Sequence, residues 1–147
     1  MKILQFDNRS IFADIAEEVA TLRVPSAAGS SVSLTIDNNS GLVNVDYVLI
    51  EDVSTSRSEI AKINAAVTAG TVIQVDTLKF PHNVGVKVYK IGYNQIKFFH
   101  SATVAGIKTL LGSATDLDVD DEFTEYVDSV NGAGYAFFAL YNSTTTA

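Results

Sequence analysis

Asp46-Tyr47-Val48-Leu49-Ile50-Glu51, Ser58-Glu59-Ile60-Ala61-Lys62-Ile63, Thr71-Val72-Ile73-Gln74-Val75 and Gly85-Val86-Lys87-Val88-Tyr89-Lys90-Ile91 are four short runs rich in β-branched and apolar residues. Turn-forming sequence separates them, at the spacing of a small barrel or sandwich. Upstream, Val32, Leu34 and Ile36 alternate with Ser31, Ser33, Thr35 and Asp37, the period of a strand with one wet face. Asp37-Asn38-Asn39-Ser40-Gly41 then supplies a turn, since Asn and Gly tolerate positive φ at low cost. Downstream, Tyr93–His100 reads as a strand with Ile96 and Phe98 on one face. The last strand is Ala133–Tyr141, with Tyr135, Phe137 and Tyr141 facing one way and Phe138 and Leu140 the other. A strand apolar on both faces is either central in a sandwich or covered by a partner chain. Either way Phe137 and Phe138 are expected to be buried once the protein is assembled.

Two segments carry a helical period. Ile11, Ile15, Val19 and Leu22 fall at i, i+4, i+8 and i+11, with Ser10 as a candidate cap; the competing reading of residues 10–22 is an extended arm. Ser101–Leu111 offers Thr103 as a cap and Val104, Ile107, Leu110 and Leu111 as core positions. The fold class is therefore mainly β, a small β-barrel or β-sandwich with one or two short helices. The breaker run Pro25-Ser26-Ala27-Ala28-Gly29-Ser30 and the Ile91-Gly92 step divide it. Residues 1–30 form an N-terminal arm or short helix plus linker, 31–91 a β-barrel-like module, and 92–147 a β-rich C-terminal module packed on it. Met1–Phe6 is expected to be dispensable for folding of the β-domain.

Composition narrows the function classes. With 147 residues, 47% hydrophobic and 18% charged, the chain is globular. It has no cysteine, which removes disulfides and thiolate metal sites and suits synthesis in a reducing cytoplasm. The net charge of −7 argues against direct nucleic-acid binding, and −5 of it falls from Tyr93 onward. No run is long enough to cross a membrane as a helix, and Asp7-Asn8-Arg9 interrupts the N-terminus too early for a signal peptide.

Chemistry-bearing motifs fail one by one. Asp116-Leu117-Asp118-Val119-Asp120-Asp121-Glu122 alternates carboxylates, but the sixth and twelfth positions of a calcium loop are Asp121 and Val127 instead of Gly and Glu. His82 follows Pro81 as a turn residue and His100 ends a strand; neither has metal-ligand spacing. No Gly-x-Ser-x-Gly elbow occurs, and Gly132-Ala133-Gly134 precedes a strand instead of a helix. The expectation is no catalytic residue, no cofactor and no metal.

The β runs Asp46–Ile50, Ser58–Ile63 and Thr71–Val75, with Leu78-Lys79-Phe80-Pro81-His82-Asn83 leading into Val84–Tyr89, resemble small β-domains of tailed-bacteriophage virion proteins. In those, a Glu-Ile strand is followed by a strand pair bridged by a Lys/Ser-Phe-x-His loop. Tyr135–Thr144 is similar to the closing strand of their Ig-like or fibronectin-like modules. The likeness covers about half the chain and brings no catalytic residues. It implies Ig-like C-terminal strands and a non-enzymatic virion structural protein, made in the host cytoplasm. A capsid decoration (cement) protein is favoured over a neck or tail component, because the chain is short and stops at Ala147 where such modules continue. Its implied partners are the major capsid or a neck or tail protein, and further copies of itself. The alternative is a carbohydrate- or host-surface-binding module, with Tyr89, Tyr93 and Tyr126 as its aromatic platform. The candidate contact residues are Ile3, Leu4 and Phe6 of the arm, Tyr135, Phe137, Phe138 and Tyr141 of the last strand, and Asp116, Asp118 and Asp120 of the acidic loop.

Overall fold

The computed structural model describes residues 1–8, 16–118 and 123–143. Twelve strands make up the regular structure of these residues: β1 (Lys2–Asp7), β2 (Ala16–Thr21), β3 (Gly29–Thr35), β4 (Tyr47–Ile50), β5 (Glu59–Lys62), β6 (Val72–Leu78), β7 (Lys87–Ile91), β8 (Gln95–Ser101), β9 (Thr109–Leu110), β10 (Thr115–Asp116), β11 (Phe123–Asp128) and β12 (Tyr135–Tyr141). The mainly β fold is as the alternation indicates, but the described sheets are open and close no barrel. The chain forms two units: Arg9–Gly92, and Met1–Asn8 together with Tyr93–Ala147.

In the unit Arg9–Gly92, four strands run in the order β2-β7-β4-β5, and β3 pairs with β6. Every ladder is antiparallel. The β3–β6 register sets Leu34 against Ile73 and Val32 against Val75, which puts the apolar alternation of both strands on one face. Isolated bridges Leu22↔Ile36 and Ile63↔Val75 tie this ladder to the neighbouring segments. Leu22, Leu34, Ile36, Val48, Ile50, Ile63, Val75 and Val88 meet in one core and are fully or almost fully buried. β4 lies between β5 and β7 and is buried along its whole length, so both of its faces are covered and its sequence does not alternate. The Asn39 turn is fixed from inside: its amide nitrogen donates to the carbonyls of Thr68 (2.8 Å) and Val72 (3.0 Å), and its amide oxygen accepts from the Gly70 N–H (3.0 Å).

In the other unit, β1 pairs with β11, and β8 pairs with β10, β9 and β12. The two sheets meet through aromatic rings. Phe6 of β1 lies edge-on to Phe138 of β12 at 4.8 Å and to Tyr93 at 6.4 Å, and Tyr126 of β11 stacks on Phe98 of β8 at 5.9 Å. Ring pairs of this kind add to the area they bury. Asp128 accepts N–H bonds from Val130 and Asn131 in the turn that follows β11.

Where the described residues cover them, both segments with a helical period form strands and turns. Ala16–Thr21 is β2, paired with β7; a bulge between Glu18 and Ala20 shifts its register, so Val19 packs partly on the core while Ala20 and Leu22 are buried. That irregular parity imitates a 3.6-residue period. Ser10, Ile11 and Ile15 lie outside the described residues. In Ser101–Leu111, the Ser101 hydroxyl donates to the Thr103 carbonyl (2.7 Å) and the Gly106 N–H donates to the same carbonyl (3.1 Å). This closes a tight turn instead of starting a helix. A Cβ on Gly106 would lie 2.6 Å from Thr103 Oγ1 and 2.7 Å from Ser101 Oγ. Val104 and Ile107 are exposed there, and of the four candidate core residues only Leu111 is buried.

Nor do residues 1–30 act as one arm. Lys2–Asp7 is a full ladder partner of Phe123–Asp128, from Lys2↔Asp128 to Asp7↔Phe123, and Phe6 is 2% exposed. Residues Ala16–Thr21 belong to the other unit. Removing Met1–Phe6 therefore strips β11 of its described partner, in place of trimming a free arm. Phe6→Ala is expected to cost about 3–5 kcal/mol in chemical denaturation, through lost transfer energy and the cavity left behind. Phe138 is 51% exposed in the single chain, so Phe138→Ala is expected to cost under about 2 kcal/mol, since it removes less buried area.

Candidate functional site

The candidate contact residues divide by what the sheets do with them. Ile3 of β1 is 56% exposed and faces Val127, which is 50% exposed, directly across the ladder; the two form one apolar pair on the outer face. Leu4 is half-buried and Phe6 is buried, on the inner face. β12 pairs with β8 from Tyr135↔Ser101 to Tyr141↔Gln95 and is an edge strand of its described sheet. Its alternation places Phe138 on the face that meets Phe6, yet half open to water because the strand has no described neighbour beyond it. On the opposite face Phe137 and Tyr141 are half-buried, and Tyr135 is exposed. Lys108 Nζ sits 4.6 Å from the centre of the Phe137 ring, and Lys97 Nζ sits 3.6 Å from that of Tyr141, so both rings hold cations over their faces. Gly134 lets β12 begin against β8: a Cβ there would lie 2.5 Å from His100 Nε2.

The acidic loop is less built. Asp116 is exposed and accepts from Gln95 Nε2 at 2.7 Å. Asp118 contributes backbone, its carbonyl accepting from Asn8 Nδ2 (2.8 Å) and its N–H donating to Thr124 Oγ1 (3.1 Å). The Thr124 hydroxyl in turn donates to Asn8 Oδ1 at 2.6 Å, in a buried link that fastens the end of β1 to β11. Asp120 lies outside the described residues. An open depression of about 370 Å³ runs past Asp116, Asp118 and Glu125. Among the described residues no three carboxylate, His or Cys groups are placed to hold a metal ion.

The aromatic platform is not assembled as expected. Tyr93 is 3% exposed, and its burial pushes the phenol well above its ordinary value of 10. Tyr126 is spent on stacking with Phe98. Among the described residues no helix is long and apolar enough to cross a membrane.

The chemistry that sequence reasoning missed is internal. His82, a turn residue by its neighbours, is 1% exposed and lies between two carboxylates: Nδ1 is 2.7 Å from Glu51 Oε2, and Nε2 is 2.8 Å from Glu59 Oε1. A ring that donates from both nitrogens is the imidazolium. Glu59 also accepts from the backbone N–H groups of Lys79 (2.6 Å) and Phe80 (3.0 Å), and Arg57 lies 3.7 Å from Glu51. The backbone of His82 exchanges two hydrogen bonds with Ser26. Burial works against charge on His82, but the hydrogen bonds from its ring to Glu59 and Glu51 outweigh it and raise its pKa above 6.5. Burial likewise opposes charge on Glu51, and the bonds with His82 and Thr55, with Arg57 nearby, carry its pKa below 4.5. With both ring nitrogens engaged and no exposed side-chain surface, His82 has neither a free lone pair nor access to a substrate. The signal available in the sequence was three charged or titratable residues within otherwise apolar strand-and-turn text, which only pairing makes tolerable.

No family model, curated protein or solved structure matches this chain.

The cluster sets a pH dependence. His82, with its pKa raised on folding, contributes fully below 6.5 and loses that contribution as pH climbs through its folded value. Glu51, with its pKa lowered, contributes fully above 4.5 and loses it as pH drops through its folded value. The melting temperature of this unit is expected to be highest between pH 4.5 and 6.5 and to decline on both sides. His82→Gln leaves two buried carboxylates without their cation and is expected to cost about 3–5 kcal/mol and to flatten the alkaline limb. Thermal melts across pH, wild type against variant, read both outcomes.

Proposed function

We propose that this chain is a non-enzymatic structural protein of a tailed-bacteriophage virion, with capsid decoration as its first role and a neck or tail position as the second. The observation that carries an assembly role is the exposed apolar surface on the strands of one unit and in the turn after β11. Ile3 and Val127 form an outward pair, Val130 is 87% exposed, and Tyr135 and Phe138 stand half open on an edge strand. Apolar side chains grouped on a surface in this way are the kind that protein–protein contacts cover. The virion context rests on the resemblance of the Glu59-Ile60 strand and the Lys79-Phe80-Pro81-His82 loop to phage β-domains. The buried His82 cluster gives those residues a structural reason to be present, since Glu59 and His82 hold one another in place. A sugar-binding reading loses support with Tyr93 buried.

Decoration adds buried area across joints between subunits, so each copy contributes modestly and symmetry multiplies it. Particles purified on a density gradient from cells producing the phage that encodes this chain are expected to contain it at a copy number commensurate with the shell. Particles made without it should assemble but break at lower temperature. Its absence from purified particles would end the virion reading. Presence in a few copies at one vertex, seen by electron cryomicroscopy, would move it to the neck or tail.

A further inference from the structure

The strand β12 bears on a partner independently of any virion. It is seven residues long, pairs on one edge with β8, and contains no charged residue and no proline. Those are the devices by which sheets normally protect an edge, and Tyr135, Ala136, Phe138 and Ala139 are all exposed along it. The chain carries a net charge of −7, so two copies repel at most surfaces, but this strand has no charged residue of its own, and the ammonium groups of Lys97 and Lys108 over Tyr141 and Phe137 are of the opposite sign to that net charge. Tyr135 and Tyr141 lie equidistant from Phe138, and every residue between them is apolar.

We propose that β12 is a self-association edge, on which a second copy of this chain pairs antiparallel about a two-fold axis through Phe138. In that register Tyr135 faces Tyr141, Ala136 faces Leu140, Phe137 faces Ala139, and Phe138 faces its own counterpart. Aromatic residues then meet aromatic or small apolar ones at every position, and the half-open Phe138 ring is covered from the side that β8 leaves free. The contact is isologous, so it closes at two copies instead of propagating into a fibre. An edge of seven residues buries less than the roughly 1,200–2,000 Å² of a stable interface, so the dissociation constant falls on the order of micromolar or weaker.

Sedimentation velocity from low micromolar to millimolar concentration should show a monomer–dimer equilibrium. Ala139→Glu puts two carboxylates close together across the axis while leaving the single chain free to pair the new acid with Lys97, its neighbour in the ladder. That variant is expected to keep the wild-type melting temperature and to self-associate at least about ten-fold more weakly, a loss of about 1.4 kcal/mol. The chain has no cysteine, so a single introduced thiol reports the register. Directly opposed residues of an antiparallel pair have Cα atoms about 4.5–5.5 Å apart, within disulfide reach. Phe138→Cys should therefore cross-link to itself under mild oxidation, and Val130→Cys, exposed but off the strand, should not. A wild-type protein that stays monomeric at millimolar concentration overturns the proposal. So does an Ala139→Glu variant that dimerises like the wild type, a result that stands even if Phe138→Cys fails to fold. Equal cross-linking through both thiols would overturn the register.

Discussion

An imidazolium held between two carboxylates inside an apolar unit is the constraint around which the Arg9–Gly92 structure is arranged. Desolvating three ionic groups costs several kcal/mol each before any attraction is counted, so the cluster survives only if every remaining lone pair and proton is placed. The surrounding backbone does that placing. Glu59 collects the Lys79 and Phe80 amides, which fixes the approach to the Pro81 turn. Glu51 takes a left-handed conformation at φ 73°, uncommon for a residue with a side chain, at the point where β4 ends. His82, through its backbone bonds with Ser26, reaches back to the segment before β3. One cluster thus ties the ends of β4, β5 and β6 and the lead into β3, where the apolar core alone would set no direction.

The β runs themselves were legible because their periodicity is local. Val32 and Leu34 alternate in the sequence and sit against Val75 and Ile73 in the ladder; β4, β5, β7 and β12 fall within the runs read for them, and β8 overruns its own by Ser101 alone. What could not be read depends on partners distant in the chain. Lys2–Asp7 looked like a free arm because its neighbours in sequence offer it no cover; its cover is β11, about 120 residues away. β2 looked helical because a bulge at Val19 spoils the parity by which strands are recognised. His82 looked like a turn residue because Glu51 and Glu59, which make its burial possible, are joined to it by folding alone. Of the contact residues, Ile3, Tyr135 and Phe138 are exposed and available, whereas Phe6 is spent on the core; sequence assigned Tyr135 and Phe138 to a strand but left Ile3 and Phe6 in an arm, because their strand exists only through pairing with β11.

The two units manage apolar surface differently. In Arg9–Gly92 the large aliphatic side chains of β3, β4 and β6 interdigitate in one cluster. In the other unit the core is narrow and aromatic, built on Phe6, Tyr93, Ile96 and Phe98, and its flanking strands keep bulky side chains in water. Lysines lie over two of those rings, a way of keeping an aromatic strand soluble without placing charge in the strand.

The pairing of β1 with β11 also dictates an order of events during synthesis. Residues 9–92 are inserted between the two pieces of the unit to which β1 belongs. The inserted unit has all its strands once Ile91 has emerged, whereas β1 waits for Phe123–Asp128 before it can pair. Contacts this remote are slow to form, because the loop must be closed before any bond rewards it. The inserted unit shortens that search: Ala16 and Ile91 are ladder partners, so its folding brings its own entry and exit strands side by side and reduces the chain still to be closed. Until then Phe6 is an exposed aromatic on a nascent chain, and the window between residues 8 and 123 is when this protein is most open to capture by a chaperone or to misassembly with a neighbouring copy.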